Sequence, residues 1–427
     1  MQTAAGHSVS KNIAVIGSGI SGLFCAYLLS RHHKVTVFEA EADIGGHTAT
    51  RTVTVRGKSY DVDTGFIVFN DRTYPNFIKL MSRLGVVSQP TEMGFSVSCQ
   101  ISGFEYSGTS LNGVFAQRRN LLNPDHWRML QEILRFNREC IQLHDTGGIE
   151  PDKTLGDFLR SGGYSDFFQR YYILPMVSAI WSSGLDTASA MPLLFFIRFF
   201  HNHGLLTVTQ QPQWYTIKGG SKTYLGPLTK AFKGAIRVST PVQWVKRHED
   251  GVTLFTAAHG QQHFDEVIFA CHSDQALAIL LDPTTEESDI LAAIPYKMND
   301  VCLHTDTRLL PVARRAWASW NYLLLNSEDA DAAALTYNMN ILQRLDSTTT
   351  FCVSVNANAA IDPEKVLGQY RYSHPVFTLA SVAAQQRWGE ISGKNHTHYC
   401  GAYWRNGFHE DGVVSAVNVA RMLGEEW

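Results

Sequence analysis

Charge is scarce in this sequence: Asp, Glu, Lys and Arg make up 18% of the 427 residues, and the formal net charge is -3. No basic stripe interleaved with aromatic residues occurs, which argues against nucleic acid as a partner. Cysteine motifs are missing too. The seven cysteines, Cys25, Cys99, Cys140, Cys271, Cys302, Cys352 and Cys400, form no CxxC pair. Neither a zinc scaffold nor a disulfide framework is expected from them; they read as reduced, mostly buried thiols of a cytosolic protein. His201 and His203 have no nearby carboxylate or cysteine partner, and His396 and His398 are read with the same caution, so no metal site is expected either. No uncharged run reaches membrane-spanning length. The first ten residues lack the basic start and apolar core of a secretory leader. A cytoplasmic location follows as the expectation, with peripheral contact at the inner membrane surface left open.

What is present is concentrated in Lys11 to Thr50, KNIAVIGSGISGLFCAYLLSRHHKVTVFEAEADIGGHTAT. Apolar Ile13 to Ile16 read as a buried strand. Gly17, Ser18, Gly19, Ile20, Ser21 and Gly22 then turn the chain into an apolar-periodic helix, and Val35 to Phe38 give a second strand ending in Glu39. This arrangement holds a dinucleotide: Gly17 makes the turn, Gly19 admits the pyrophosphate, and Gly22 lets helix and strand pack closely. The helix start offers free N–H groups and its positive dipole end. Glu39 lies 22 residues past Gly17, where a carboxylate takes ribose hydroxyls. Beyond Ala40 the chain runs into a second pair, Gly45 and Gly46, followed by His47 and the run DVDTGFIVF, instead of a crossover helix. A second glycine turn suits the longer, doubly charged FAD better than NAD.

An α/β, two-domain (α+β) organisation follows: a Rossmann-like FAD-binding domain carrying an inserted helical and mixed-sheet substrate domain. Residues 11–85, 208–295 and 390–427 are assigned to the first, and 86–207 and 296–389 to the second. Pro124 starts a helix through Cys140, Thr154 caps another, and a final helix is expected from about Gly412. The run MPLLFFIRFFHNHGLL is broken by Arg198. It reads either as a buried helix of the substrate domain or as an entrance helix touching lipid.

On IAVIGSGISGLFCAYLLS, VTVFEAEADIGGHT, DVDTGFIVF, WYTIKGGS and GAYWRNGFHEDGVVSAVNVA, nearly the whole chain resembles the flavin-containing amine oxidase and phytoene-desaturase superfamily. Within it, the chain most resembles a bacterial branch of flavoproteins associated with modified fatty acid synthesis. The resemblance implies noncovalent FAD. It places Gly17, Ser18, Gly19 and Gly22 at the pyrophosphate, Glu39 at the ribose, and Gly45, Gly46 and His47 at the second loop, where many relatives have arginine. Thr64 and Gly65 would approach the flavin ring, and the Val242 backbone the adenine. Gly401 would lie at the ribityl or phosphate region, and Asp411, Gly412 and Val413 at the pyrimidine edge. Relatives that oxidise amines commonly hold a lysine near the flavin; Lys297 lies too early to match.

Tyr403, Trp404 and His409 are the candidates for shaping the reacting face, and Tyr171, Tyr172, Met176, Trp181 and Phe196 for lining the pocket. Aromatic residues at helical spacing are also what a plain core looks like. The resulting expectation is FAD-dependent desaturation of a methyl-branched or unsaturated acyl chain, free or phospholipid-bound. Amine oxidation is the alternative, and a noncatalytic FAD-bearing interaction protein stands further behind. The sequence carries no signature of the electron acceptor.

Overall fold

The computed structural model describes residues 10–207, 211–325 and 333–427. The first nine residues, the opening of TVTQQPQWYTIKGGS and most of the Ala-rich stretch before Leu335 lie outside these. A five-stranded parallel sheet forms the first layer. Its order is Ala235–Arg237, Lys34–Phe38, Asn12–Ile16, Glu266–Phe269 and Thr397–Tyr399. Strands drawn from both ends and the middle of the chain thus meet in one sheet. Asn12–Ile16 at its centre is buried on both faces, which its unbroken apolar run requires. Helices Ile20–Leu29 and His409–Met422 cover one face and pack on each other. The antiparallel hairpins of Val242–His248, Gly251–Thr256 and Gly260–Phe264 cover the other.

A seven-stranded mixed sheet forms the second unit, in the order Val366–Pro375, Tyr296–His304, Cys352–Val355, Ala333–Asn338, Trp320–Leu324, Phe95–Cys99 and Glu105–Ser107. Only Trp320–Leu324 and Phe95–Cys99 run parallel; all other neighbours are antiparallel. The helical insert packs on this sheet. Its longest helix, Pro124–Thr146, starts with proline in the first turn and ends on Gly147 at φ 66°. Thr154 caps Leu155–Ser161 in a reciprocal box with Asp157.

Two details depart from the sequence expectation. The final helix begins at His409, three residues early, because the Asp411 carboxylate accepts the Phe408 N–H at 3.0 Å and closes a turn there. The apolar run becomes helix Leu193–Asn202, with Leu193, Phe195, Phe196, Ile197, Phe199 and Phe200 all buried and Arg198 and Asn202 on the outside. It is a core helix. Among the described residues, no helix is long and apolar enough to cross a membrane.

Candidate cofactor and substrate site

One cavity of about 1740 Å³ runs between the two units, from the glycine loops to the aromatic face of the mixed sheet. Pockets for ordinary small ligands span roughly 300–1,000 Å³. There is room here for an elongated cofactor and a substrate together.

The nucleotide end is built by backbone. Gly17 stands at φ 108°, and a Cβ there would lie 2.8 Å from the Ala270 carbonyl oxygen. A Cβ on Gly22 would come within 2.0 Å of the Gly17 oxygen, whereas one on Gly19 would meet nothing within 4 Å. Gly19 therefore faces open cavity, and the helix Ile20–Leu29 begins there with no side chain capping its N–H groups. Ser18 ties the two loops together. Its hydroxyl donates to Glu39 at 2.5 Å and accepts from the Gly45 N–H at 3.2 Å, while the Ser18 N–H reaches the same carboxylate at 2.9 Å. Gly46, at φ 56°, brings the second loop against Gly19. Gly65 packs so closely on the His47 carbonyl that a Cβ would lie 2.2 Å from it.

The opposite end is a wall of rings. Trp181, Trp320, Tyr337, Tyr370, Tyr372, Phe377 and Phe408 line it. Helix Leu193–Asn202 stiffens the wall from behind: Phe195 stacks on Phe377 at 4.6 Å and Phe199 on Phe408 at 5.0 Å. Between the two ends lies a group of imidazoles. His47 sits 5.3 Å from His374 and 6.3 Å from His272, ring centre to ring centre, and 5.4 Å from Tyr372. Burial, reinforced by the neighbouring His272, holds His47 down at about 4, and burial does the same for His272 at about 4 and His374 at about 3. All three are neutral at neutral pH. His47 bonds to the Ser373 backbone, and its Nε2 is buried with no protein partner.

Of the residues read from the sequence, Gly17 to Ser21, Glu39, Ala40, Gly45, Gly46, His47, Gly65, Val242, Gly401, Tyr403, His409 and Trp181 all line this cavity. Others stand behind it. Gly22 works by close packing, Thr64 anchors the Tyr372 hydroxyl at 2.9 Å, and a Cβ on Gly412 would press the Ser21 hydroxyl at 2.8 Å. Val413 is fully buried in the helix core. Asp411 faces an adjoining cavity of about 660 Å³ and lies 3.4 Å from the Arg405 guanidinium. Trp404 packs against Tyr403. His409 lines the cavity and is fixed there: it stacks on Phe66 at 3.6 Å, bonds Thr48 and Tyr224, and is held by burial at about 3.

Tyr171, Tyr172, Met176 and Phe196 lie away from the cavity, in the interior of the helical unit, where Phe104, Phe168 and Phe200 pack on them. Aromatics at helical spacing packed on each other there. The wall comes from strands and loops together with Trp181, the one helical residue read from the sequence, and the strand part was signalled by the alternation Tyr370, Tyr372, His374. His201 gains neighbours that sequence distance hid: the possible ligand atoms of His144, Asp145 and His201 lie within 4.8 Å of one another. The two imidazoles are stacked face to face at 3.8 Å, so their in-plane lone pairs run side by side rather than converge.

The family model described as "Flavin containing amine oxidoreductase" matches residues 20–315. Flavin-containing amine oxidase A of Sus scrofa is 23% identical over 398 residues, covering 87% of this chain and 72% of that protein. Cyclohexylamine oxidase from Brevibacterium oxydans IH-35A shares the fold with a TM-score of 0.67 at 18% identity, over 97% of this chain and 99% of that one. The CLA-producing fatty acid isomerase from P. acnes does so at 0.71 and 14% identity, again over 97% and 99%.

The residues fit FAD. Uncapped N–H groups and two glycine turns suit the pyrophosphate, Glu39 suits a ribose, and the cavity continues past them. Among the described cysteines only Cys271 lines the cavity, and burial pushes its thiol up to about 12. A protonated thiol is a poor nucleophile, in keeping with noncovalent binding.

Proposed function

The chain belongs to the flavin-containing amine oxidoreductase family and is an FAD-dependent oxidoreductase; we propose that it desaturates an unsaturated or methyl-branched acyl chain. The carrying observation is the makeup of the substrate wall. Its rings are joined by Met298 and Pro375, the polar residues among them are Arg371, Ser373, His374 and Asn406, and the lining carboxylates Glu39, Glu41, Asp43 and Asp61 all fall within residues 39–61. Among the described residues, no carboxylate stands on the wall to pair with an ammonium ion. Lys297 is exposed and lines no part of the cavity. The fold's presence in a fatty acid isomerase supports the view that it accommodates an acyl chain.

Bound FAD supplies a two-electron acceptor. The protein's own contribution is placement and dryness. Trp181, Phe377 and Phe408 hold an extended chain and exclude water, which keeps the reacting C–H in one orientation. Allylic or branched carbon matters because it stabilises the positive charge left as hydride departs. The adjacent C–H then becomes strongly acidic, so a weak base suffices to complete the double bond. His47, a neutral imidazole lining the cavity, is the group assigned to accept this proton.

Amine oxidation is the second reading, and the relatives' names favour it over the acyl one: both amine oxidase A and cyclohexylamine oxidase carry that activity in their names. A ring-lined pocket also attracts cations through the aromatic faces. Anaerobic mixing of the holoprotein with methylated unsaturated phospholipids, and in parallel with primary amines, separates the readings. Flavin bleaching with a product lighter by two hydrogens is expected from the lipid. Bleaching by amines alone would overturn the proposal, and bleaching by neither would point to a noncatalytic FAD carrier.

A further inference from the structure

Among the described residues, six of the thirteen exposed large apolar side chains fall within residues 101–127 or at Val312. Leu122 is 90% exposed, Val312 91%, Leu111 81% and Ile101 62%, with Leu121 and Trp127 about half exposed at 47% and 45%. They come from five chain segments, and hydrogen bonds hold those segments side by side. Arg118 Nη2 donates to the Asn112 side chain at 2.8 Å, joining the turn Arg118–Leu122 to the short helix Leu111–Val114. Gln117 Nε2 donates to the Gly103 carbonyl at 2.8 Å, which fixes the hairpin tip carrying Ile101. The buried Glu105 carboxylate accepts the Val312 and Ala313 N–H groups at 2.8 and 2.9 Å, so the loop bearing Val312 is pinned to the same face. Trp127 donates to the Leu121 carbonyl at 2.9 Å and packs on Phe115 at 5.2 Å. The side chains are therefore presented by a braced surface.

The charges around them are mostly positive. Arg118, Arg119, Arg314 and Arg315 are exposed and make no ion pair with a described residue; Arg128 is exposed beside them. Across 101–128 and 311–317 the acids are Asp125 and the inward-turned Glu105, against five arginines, in a chain whose net charge is -3.

We propose that this face docks on an anionic phospholipid membrane, inserting Leu111, Leu122 and Val312 among the acyl chains while the arginines meet lipid phosphates. Projecting apolar side chains ringed by arginine suit an interface with an apolar interior and a negative surface. Two copies of this face would set arginine against arginine, which disfavours self-pairing. The proposal stands independently of the acyl reading, since docking needs no turnover.

Co-sedimentation of the holoprotein with phosphatidylcholine vesicles, with and without phosphatidylglycerol, tests it. Binding is expected only with the anionic lipid, and salt weakens it. Each arginine is worth roughly fivefold in partitioning, from about 1 kcal/mol per cationic residue near the surface. The Arg118→Glu, Arg315→Glu pair and the Leu111→Asp, Leu122→Asp, Val312→Asp triple should each lose at least that much, with flavin content unchanged. Failure of the wild-type protein to sediment with anionic vesicles would overturn the proposal. So would variants that sediment like wild type, or a wild-type dimer in sedimentation velocity that the same substitutions dissolve.

Discussion

Single atoms decide the nucleotide end of the site. Ser18 connects three pieces of chain, because one hydroxyl serves Glu39 and the second glycine loop at once. Ser18→Ala should weaken FAD binding by roughly tenfold or more, since hydrogen bonds to charged groups are worth about 1.5–3 kcal/mol; fluorescence titration of FAD into stripped protein measures it. Gly22→Ala is harsher. Its new methyl would sit 2.0 Å from the Gly17 oxygen, a clash that backbone alone can relieve, so the purified variant should emerge without flavin absorbance. His47 illustrates the reverse case, in which the residue type was plain and its surroundings were not. Only folding brings His272 and His374 around it and buries its Nε2 without a hydrogen-bond partner.

Among the elements, the last helix does more than approach the cofactor. Glu410 accepts the Asn76 N–H at 3.1 Å, the Asn76 side chain at 2.7 Å and the Phe77 N–H at 2.8 Å, thereby capping helix Pro75–Leu84 from 334 residues away. Removing it leaves buried donors unpaired. Glu410→Ala should cost about 1–3 kcal/mol in urea unfolding, and Glu410→Gln less, because an amide oxygen still accepts. The neighbouring Asp411 spends its carboxylate on the helix start, which is why the helix begins before Gly412. Helix Leu193–Asn202 was ambiguous as sequence, since a buried helix and a lipid-facing helix are both apolar. Packing on Phe377 and Phe408 resolves it and gives it a role as backing for the substrate wall.

For the molecule as a whole, buried imidazoles set the response to acid. His47, His203, His272, His304, His374 and His409 are all held by burial at about 3 to 4. Unfolded histidine titrates near about 6.5, so between these values the unfolded chain binds more protons and stability falls as pH falls. Asp63 and Asp411, raised by burial to about 6, act in the opposite sense: they favour the folded state as pH drops below 6. With His126, also lowered by burial, and Glu410, also raised by burial, seven groups oppose three. The holoprotein's Tm should therefore fall between about pH 7 and about pH 5, and a rise over that window in scanning calorimetry would contradict this balance.

The sequence by itself determined the cofactor end: strand, glycine turn, helix and acid are contiguous in Lys11 to Glu39, and their spacing is set by local backbone geometry. The second glycine pair and the last helix were legible for the same reason, each being a local turn or helix start. Tertiary structure alone decided the substrate wall, the imidazole group and the exposed basic face. Tyr370, Trp320, His272 and Phe408 lie on strands and loops scattered over the chain, and nothing local distinguishes a ring that lines a cavity from one that fills a core. That distinction is made only when two sheets close around the same space.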